Sequence, residues 1–411
     1  MTNTPTTTAG QASDVPDFPM PRAVGCPFDP SPALQTMQAE TPITRVKYWD
    51  GSTPWLVTRY DDQRALFADP RISADSSHPN HPHQTPGFRE SQKKGRSFIK
   101  LDDPEHARLR RMVSAQFSVK RSEALRPAIQ KIVDGLIDDL LAGPKPVDLV
   151  ESFALVVPSL VICDLLGVSY SHHAFFEENA KQLTEREVTD EQGAAGQRRL
   201  AEYIDNLLSE KLSNPGDDVL SDITERVKSG ELSREDAVRT GVLLLVAGHD
   251  TTANMIALGT LALLQHPDQL AILRQTSDPK LIAGAVEELL RYLTIPHGGR
   301  PRVALADIEI GGQVIHADDP VLLAIEMANR DPAVFPDPDR LDILREARHH
   351  VAFLYGPHQC LGQNLARVEL QVVYSTLSKR IPTLRLATDM DKVQFRNNAT
   401  VYGVYELPVT W

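Results

Sequence analysis

One helix sets the size of this fold. From Ser233 the chain reads as helix past Met255 to about Gln265, where His266-Pro267 ends it. Ser233 with Asp236 three residues later resembles a capping box, with Asp in place of the usual Glu. Thirty-odd residues rising 1.5 Å each span roughly 50 Å, the width of a whole domain. Val242 to Ala247 is apolar on every face, and a helix with no polar side belongs in an interior. The remainder of the 411 residues must therefore wrap around it. A chain of that length can bury on the order of three quarters of its unfolded surface.

The flanking sequence is consistent with this. Apolar residues at spacings of three and four run through Glu105–Gln116, Ser122–Leu141, Phe153–Leu166 and Gln197–Leu212. A further helix ends in Glu287-Glu288-Leu289-Leu290-Arg291, and a last one covers about Leu361 to Lys379. Alternation around Asp50-Gly51 predicts a hairpin, Thr44–Trp49 with Pro54–Tyr60. Short strands are expected at Arg302–Ala304, Ile308–Ile310, Val314–Ile315, Val321–Ala324 and Val401–Tyr405. The Pro/His/Ser/Gly-rich stretch Ser73–Arg96 reads as a long functional or mobile loop. No Gly/Ser-rich linker divides the helical region from Pro104 to about Leu293. The expected architecture is mainly α with small β-sheets, one large domain over residues 21–411 behind a mobile tail, 1–20.

Composition removes several functions. Lys and Arg number 43 against 55 Asp and Glu, a net charge of −12, which argues against a general nucleic-acid binder. Cys26, Cys163 and Cys360 are too few and too scattered for a disulfide framework or a paired-cysteine zinc site. No segment reaches the ~18 apolar residues of a membrane helix, and the Thr-rich start lacks the pattern of a secretory leader. A cytoplasmic monomer without membrane contact is the expectation.

Three motifs carry chemistry. Cys360 lies in Phe353-Leu-Tyr-Gly-Pro-His-Gln-Cys-Leu-Gly362, just before a helix. A helix N-terminus favours the thiolate, although a lone cysteine is commonly a small buried hydrophobe. Ala247-Gly248-His249-Asp250-Thr251-Thr252 interrupts the Leu/Val-rich central helix with weak helix formers. An acid beside a hydroxyl there can loosen the helical bonds and relay protons, or simply bond back to the backbone. Glu288 and Arg291, three apart, share a helix face and can pair; Asp337-Pro338-Asp339-Arg340 follows downstream. The remaining histidines, His78, His81, His83, His172-His173 and His349-His350, read as loop, solvated or helix-end residues.

In this order the three motifs resemble the cytochrome P-450 superfamily of haem-thiolate monooxygenases, closest to the soluble actinobacterial type. The likeness runs from about Cys26 to Trp411 and rests on Ala-Gly-His-Asp-Thr-Thr, Val-Glu-Glu-Leu-Leu-Arg and Gly-Pro-His-Gln-Cys-Leu-Gly-Gln-Asn-Leu-Ala-Arg. It implies a cytochrome P-450 fold with the long helix crossing a heme b (iron protoporphyrin IX). Cys360 would be the axial thiolate, which promotes O–O cleavage. Asp250 and Thr251 would deliver protons to bound dioxygen. His106, Arg110, Arg302 and His358 would hold the two propionates. Glu288, Arg291 and Arg340 match the family's structural triad. One position departs: the family has Gly immediately after Phe353, where this chain has Leu354. A positive φ there would be costly, so a shifted loop is expected.

The resemblance implies hydroxylation of a lipophilic small molecule, a secondary metabolite, steroid-like compound or xenobiotic. Electrons would come from NAD(P)H through a ferredoxin reductase and a ferredoxin, since the chain has no dinucleotide fingerprint or flavin module of its own. Other readings on the same residues are a haem-thiolate nitric oxide reductase or peroxygenase, a non-catalytic haem protein, and a cysteine hydrolase built on Cys360 and His358. The expected pocket walls are Ser73–Arg96, His172–Arg198, Val242–Ala247, Leu293–Gly299 and Ala399–Tyr402.

Overall fold

The fold is known from a computed structural model that describes residues 15–23, 25–85, 89, 95–184 and 188–411. The helices that build the site are α1 (Glu105–Ser114), α2 (Arg126–Ala142), α3 (Val156–Leu166), α4 (Asp190–Ser213), α5 (Arg234–Gln265), α6 (Pro279–Leu293) and α7 (Gln363–Arg380). Helix α5 is the predicted central helix. The Ser233 side chain caps it by accepting from the Asp236 N–H, and the helix runs unbroken through Gly248–Thr252. Contrary to the expectation that no segment would be apolar enough, α5 alone among the described residues is long and apolar enough to cross a membrane, but 72% of its most apolar stretch is buried inside the protein. Ile256, Leu258 and Leu261 are fully enclosed. Tyr374 of α7 donates its hydroxyl hydrogen to the Met255 carbonyl, tying the last helix to the central one.

A five-stranded sheet closes one end. Strands β1 (Ile43–Arg45), β2 (Trp55–Val57), β3 (Ile72–Ser73), β4 (Arg300–Ala304) and β5 (Pro320–Leu323) lie in the order β1-β2-β5-β4-β3. The expected hairpin is present, with Thr44 opposite Leu56 and Gly51 at φ +82 in its turn. Strand β4 pairs antiparallel with β5, placing Arg302 opposite Val321. Arg300 and Arg302 thus stand two apart on one face of the sheet.

Three expectations change. The helix over Ser122–Leu141 is split into Val119–Ala124 and α2, because Pro127 has no N–H and fits only a first turn. The C-terminal segment Val401–Tyr405 forms isolated bridges, Pro296 with Val401 and Phe395 with Val404. The final strand is Pro408–Thr410, paired with Val147–Asp148 and Arg385–Leu386. The tail is also shorter than 1–20. Phe18 is buried in the cluster with Leu56 and Leu322, and its N–H bonds to Lys47. Residues 1–14 lie outside the described residues.

Candidate active site

The geometry starts at the cysteine loop. Leu354 adopts φ +64, and its N–H donates to the Val351 carbonyl at 2.8 Å. The loop has not shifted to avoid this conformation, which costs a residue with a Cβ about 1–2 kcal/mol. Packing of the Leu354 side chain against the sheet-end core accompanies it. Two residues on, Gly356 at φ +73 brings its backbone so close to Phe67 that a Cβ would lie 2.5 Å from the Phe67 carbonyl oxygen. Only glycine fits there. The Cys360 N–H then donates to Phe353 O at 2.8 Å, and the Phe353 ring is covered by the Arg367 guanidinium at 4.6 Å.

Cys360 opens onto a cavity of about 340 Å³. Opposite it, α5 contributes Leu243, Leu244, Ala247, Gly248, Thr251 and Thr252; Ile162, Ile295, Pro296 and Val401 complete the apolar walls. Four of the five predicted wall segments supply a lining residue, the loop through Gln84. Among the described residues the segment His172–Arg198 supplies none. Burial pushes the Cys360 thiol up, although the Gly362 N–H and the cations Arg110, Arg367 and Arg300 pull the other way. Desolvation therefore overrides the helix-terminus effect expected from sequence. A thiolate in this loop needs a cation on the sulfur itself, and binding one would release the thiol proton.

One rim of the cavity is cationic. Arg110, Arg302 and His358 line it, joined by Lys100 and Arg300, which sequence reading missed. Burial, with Arg302 and Arg300 nearby, pushes Lys100 down to about 8. Burial and the neighbouring Arg300 push Arg302 down to about 10, with Asp102 opposing. His358 is driven to about 2 by burial and by Arg302, His106, Arg110 and Lys100, so its imidazole is neutral. Arg110 donates to the Gln359 carbonyl at 2.6 Å. His106 does not line the cavity; its ring packs against that of His358, centroids 4.1 Å apart and planes tilted by 30°, and contacts Asp103 through Nδ1 at 3.0 Å. His106 Nε2 and His358 Nδ1 are buried with no hydrogen-bond partner among the described residues. Depressed cations and unused ring nitrogens beside a sulfur-lined cavity fit a flat metal-bearing group carrying carboxylates.

The structure separates Asp250 from Thr251. Thr251 lines the cavity, its hydroxyl donating back to Ala247 O at 2.8 Å. Asp250 is buried away from it. Asp250 Oδ1 accepts from Arg396 Nη1 at 2.9 Å and from Asn254 Nδ2 at 3.1 Å.

The structural triad needs a correction. Arg291 donates to both oxygens of Glu288, at 2.7 and 2.9 Å, with both side chains 0% exposed. The second cation on Glu288 is Arg345, at 3.2 Å. Arg340 is 68% exposed, pairs with Asp342, and offers Arg291 only its carbonyl. His350, expected to be solvated or at a helix end, is buried against Glu287 at 3.1 Å. Burial raises Glu287, but His350 and Arg367 together hold it well below the usual carboxylate range, at about 2.

The model of the Cytochrome P450 family matches residues 170–380. Cytochrome P450 GfsF of Streptomyces halstedii is 53% identical over 416 residues, covering 100% of each chain. Its crystal structure superposes at a TM-score of 0.91 over 97% of this chain and 100% of that one, at 52% identity. This chain belongs to the cytochrome P450 family. It is a P450 monooxygenase of the actinobacterial type, and its cofactor is heme b. Pentalenic acid synthase of Streptomyces avermitilis is 46% identical over 96% of this chain and 97% of its own. The mycinamicin VIII C21 methyl hydroxylase MycCI of Micromonospora griseorubida, solved with mycinamicin VIII bound, superposes at 0.90 with 41% identity, over 97% of this chain and 100% of that one. Within this P450 the cysteine loop, the cationic rim and Thr251 are brought to one cavity, whereas His106 and Asp250 stand one layer behind it.

Proposed function

We propose that this P450 hydroxylates a lipophilic small molecule of the secondary-metabolite, steroid-like or xenobiotic class, with O2 and electrons passed from NAD(P)H through a ferredoxin reductase and a ferredoxin. The observation that carries the proposal is the pairing of Cys360 and Thr251 across one largely apolar cavity. The relatives' names support the substrate class, one being a synthase of pentalenic acid and one a hydroxylase of mycinamicin VIII. Cys360 would ligate the iron, with Arg110, Arg302 and His358 on the propionates and His106 packed behind His358. When bound, the haem supplies reductive activation of dioxygen and insertion of one oxygen atom into a C–H bond. The chain's own part is to exclude water with Leu244, Ala247, Ile295 and Val401, and to hold a proton donor at Thr251 Oγ1.

That donor is testable. Thr251→Ala keeps the helix, since Ala is the best helix former, but removes the hydroxyl from the cavity wall. Coupled product per NAD(P)H should fall at least about tenfold, with roughly 10²–10⁴-fold the scale of a placed proton donor, and the electrons should be recovered as peroxide. Wild-type coupling would overturn the relay and leave the assignment of Cys360 standing.

The electron donor leaves a second test. Arg111, Lys120 and Arg348 are exposed and form no ion pair among the described residues, whereas Arg108 and Arg121 are engaged by Glu105 and Asp217 and Arg345 is drawn inward by Glu288. The free cations flank α1 and the approach to the cysteine loop, suiting an acidic ferredoxin. Reduction by ferredoxin should slow as salt rises, because exposed charges are screened beyond about 10 Å at 0.1 M. Lys120→Glu should weaken ferredoxin-dependent turnover and spare peroxide-driven turnover. Equal loss in both assays would place the damage in the pocket and end the docking idea.

A further inference from the structure

The C-terminal hairpin reaches the central helix at one acid. Arg396 and Asp250 form an ion pair with side chains only 8% and 12% exposed. They are separated by 146 positions in sequence. Asp250 Oδ1 takes both available donors, Arg396 Nη1 and Asn254 Nδ2. Its other oxygen, Oδ2, is buried and has no hydrogen-bond partner among the described residues. Asn254 is fixed in turn: its amide also donates to the Asp250 carbonyl at 2.7 Å. Gly403 of the hairpin lies so close that a Cβ there would sit 1.7 Å from Asn254 Oδ1. The Arg396 N–H donates to the Gly403 carbonyl at 2.9 Å, so the two contacts on the helix belong to one unit. That unit is anchored to the cavity wall. Tyr402 N–H bonds to Ile295 O at 2.7 Å, His297 N–H to Thr400 O at 3.0 Å, and Val401 itself lines the cavity.

We propose that Arg396 is the positioning residue for Asp250: with Asn254 it occupies Oδ1, leaving Oδ2 as the oxygen that passes protons towards Thr251. The inference rests on the relay described above. Its chemistry is direct. A carboxylate with no donor could turn about its last bond and present either oxygen, and a buried charge without a partner would be neutralised. Two donors on one oxygen stop the rotation. Because Val401 and Arg396 share the hairpin, the wall that touches substrate and the group that orients the acid move as one piece.

Arg396→Met keeps the length and apolar stem of the side chain and removes the guanidinium. Coupled product formation should drop about tenfold, a part of the roughly 10²–10⁴-fold that a placed acid contributes, because Asp250 stays in place and loses only its orientation, and the solvent deuterium isotope effect on turnover should rise. Arg396→Lys should recover most of both. In the Asp250→Asn background Arg396→Met should change neither. In the apoprotein, the infrared carboxylate band that Asp250→Asn removes should shift in Arg396→Met. Should Arg396→Met not load haem, Asn254→Ala, which leaves the ion pair and removes the second donor, carries the same readouts with a smaller drop. Wild-type coupling in Arg396→Met beside an impaired Asp250→Asn would overturn the positioning role and leave the relay intact. Wild-type coupling in Asp250→Asn would remove both. An equal loss from Arg396→Met with and without the acid would show that the arginine supports the fold and does not act through Asp250.

Discussion

Cys360→His should erase the red-shifted Soret band of the reduced carbon monoxide complex and take monooxygenase turnover to background. The sulfur is the only one that Cys26, Cys163 and Cys360 bring to the cavity. Cys163 is buried within α3, where desolvation pushes its thiol up to about 11, so Cys163→Ser should leave the band in place. The loop positions the sulfur through backbone bonds, Cys360 N–H to Phe353 O and Gln359 N–H to Gly356 O, which no side-chain substitution removes. Histidine would therefore enter a loop of unchanged course and offer a neutral nitrogen in place of a thiolate, losing the electron donation that favours O–O cleavage. A band unmoved by Cys360→His would mean that the cysteine does not ligate the iron.

What the sequence made legible follows from the range of the interactions involved. The central helix is readable because its cap, Ser233, and its apolar run are local features, and the cysteine loop because its glycines and proline mark a turn. Partners distant along the chain are another matter. Arg340 and Arg345 sit five positions apart in an irregular stretch, and nothing in local spacing says which reaches Glu288; burial decides for Arg345. His350 reads as a surface residue until Glu287 is seen beside it. Asp250 signals by its chemistry that a counter-charge is needed, but Arg396 becomes its partner only through the hairpin. Arg300 was within reach of sequence reasoning, since two residues before Arg302 in a strand is the same face. The thiolate failed for a different reason: the pull of a helix end is readable from sequence, whereas the burial that outweighs it belongs to the folded chain.

The largest stability effect is expected at Arg291. Its guanidinium satisfies both Glu288 oxygens and the carbonyls of Asn329 and Pro338, each of these two at 2.8 Å. Arg291→Met keeps the bulk but leaves a fully buried carboxylate with Arg345 and the Asp342 N–H as its remaining partners. Removing one member of a buried pair costs about 3–5 kcal/mol, because the other charge stays desolvated. Arg340→Met, at the exposed position the sequence pointed to, removes a solvent-screened pair worth at most about 1 kcal/mol. Thermal unfolding of the two variants beside wild type separates them: Arg291→Met should melt far earlier or fail to accumulate, and Arg340→Met should be near wild type. Adding Glu288→Leu to Arg291→Met should recover part of the loss, since the stranded charge goes with it, and the two effects should fall short of additivity. Comparable damage from Arg340→Met would place the second cation of the cluster at the surface, contrary to the buried arrangement around Glu288.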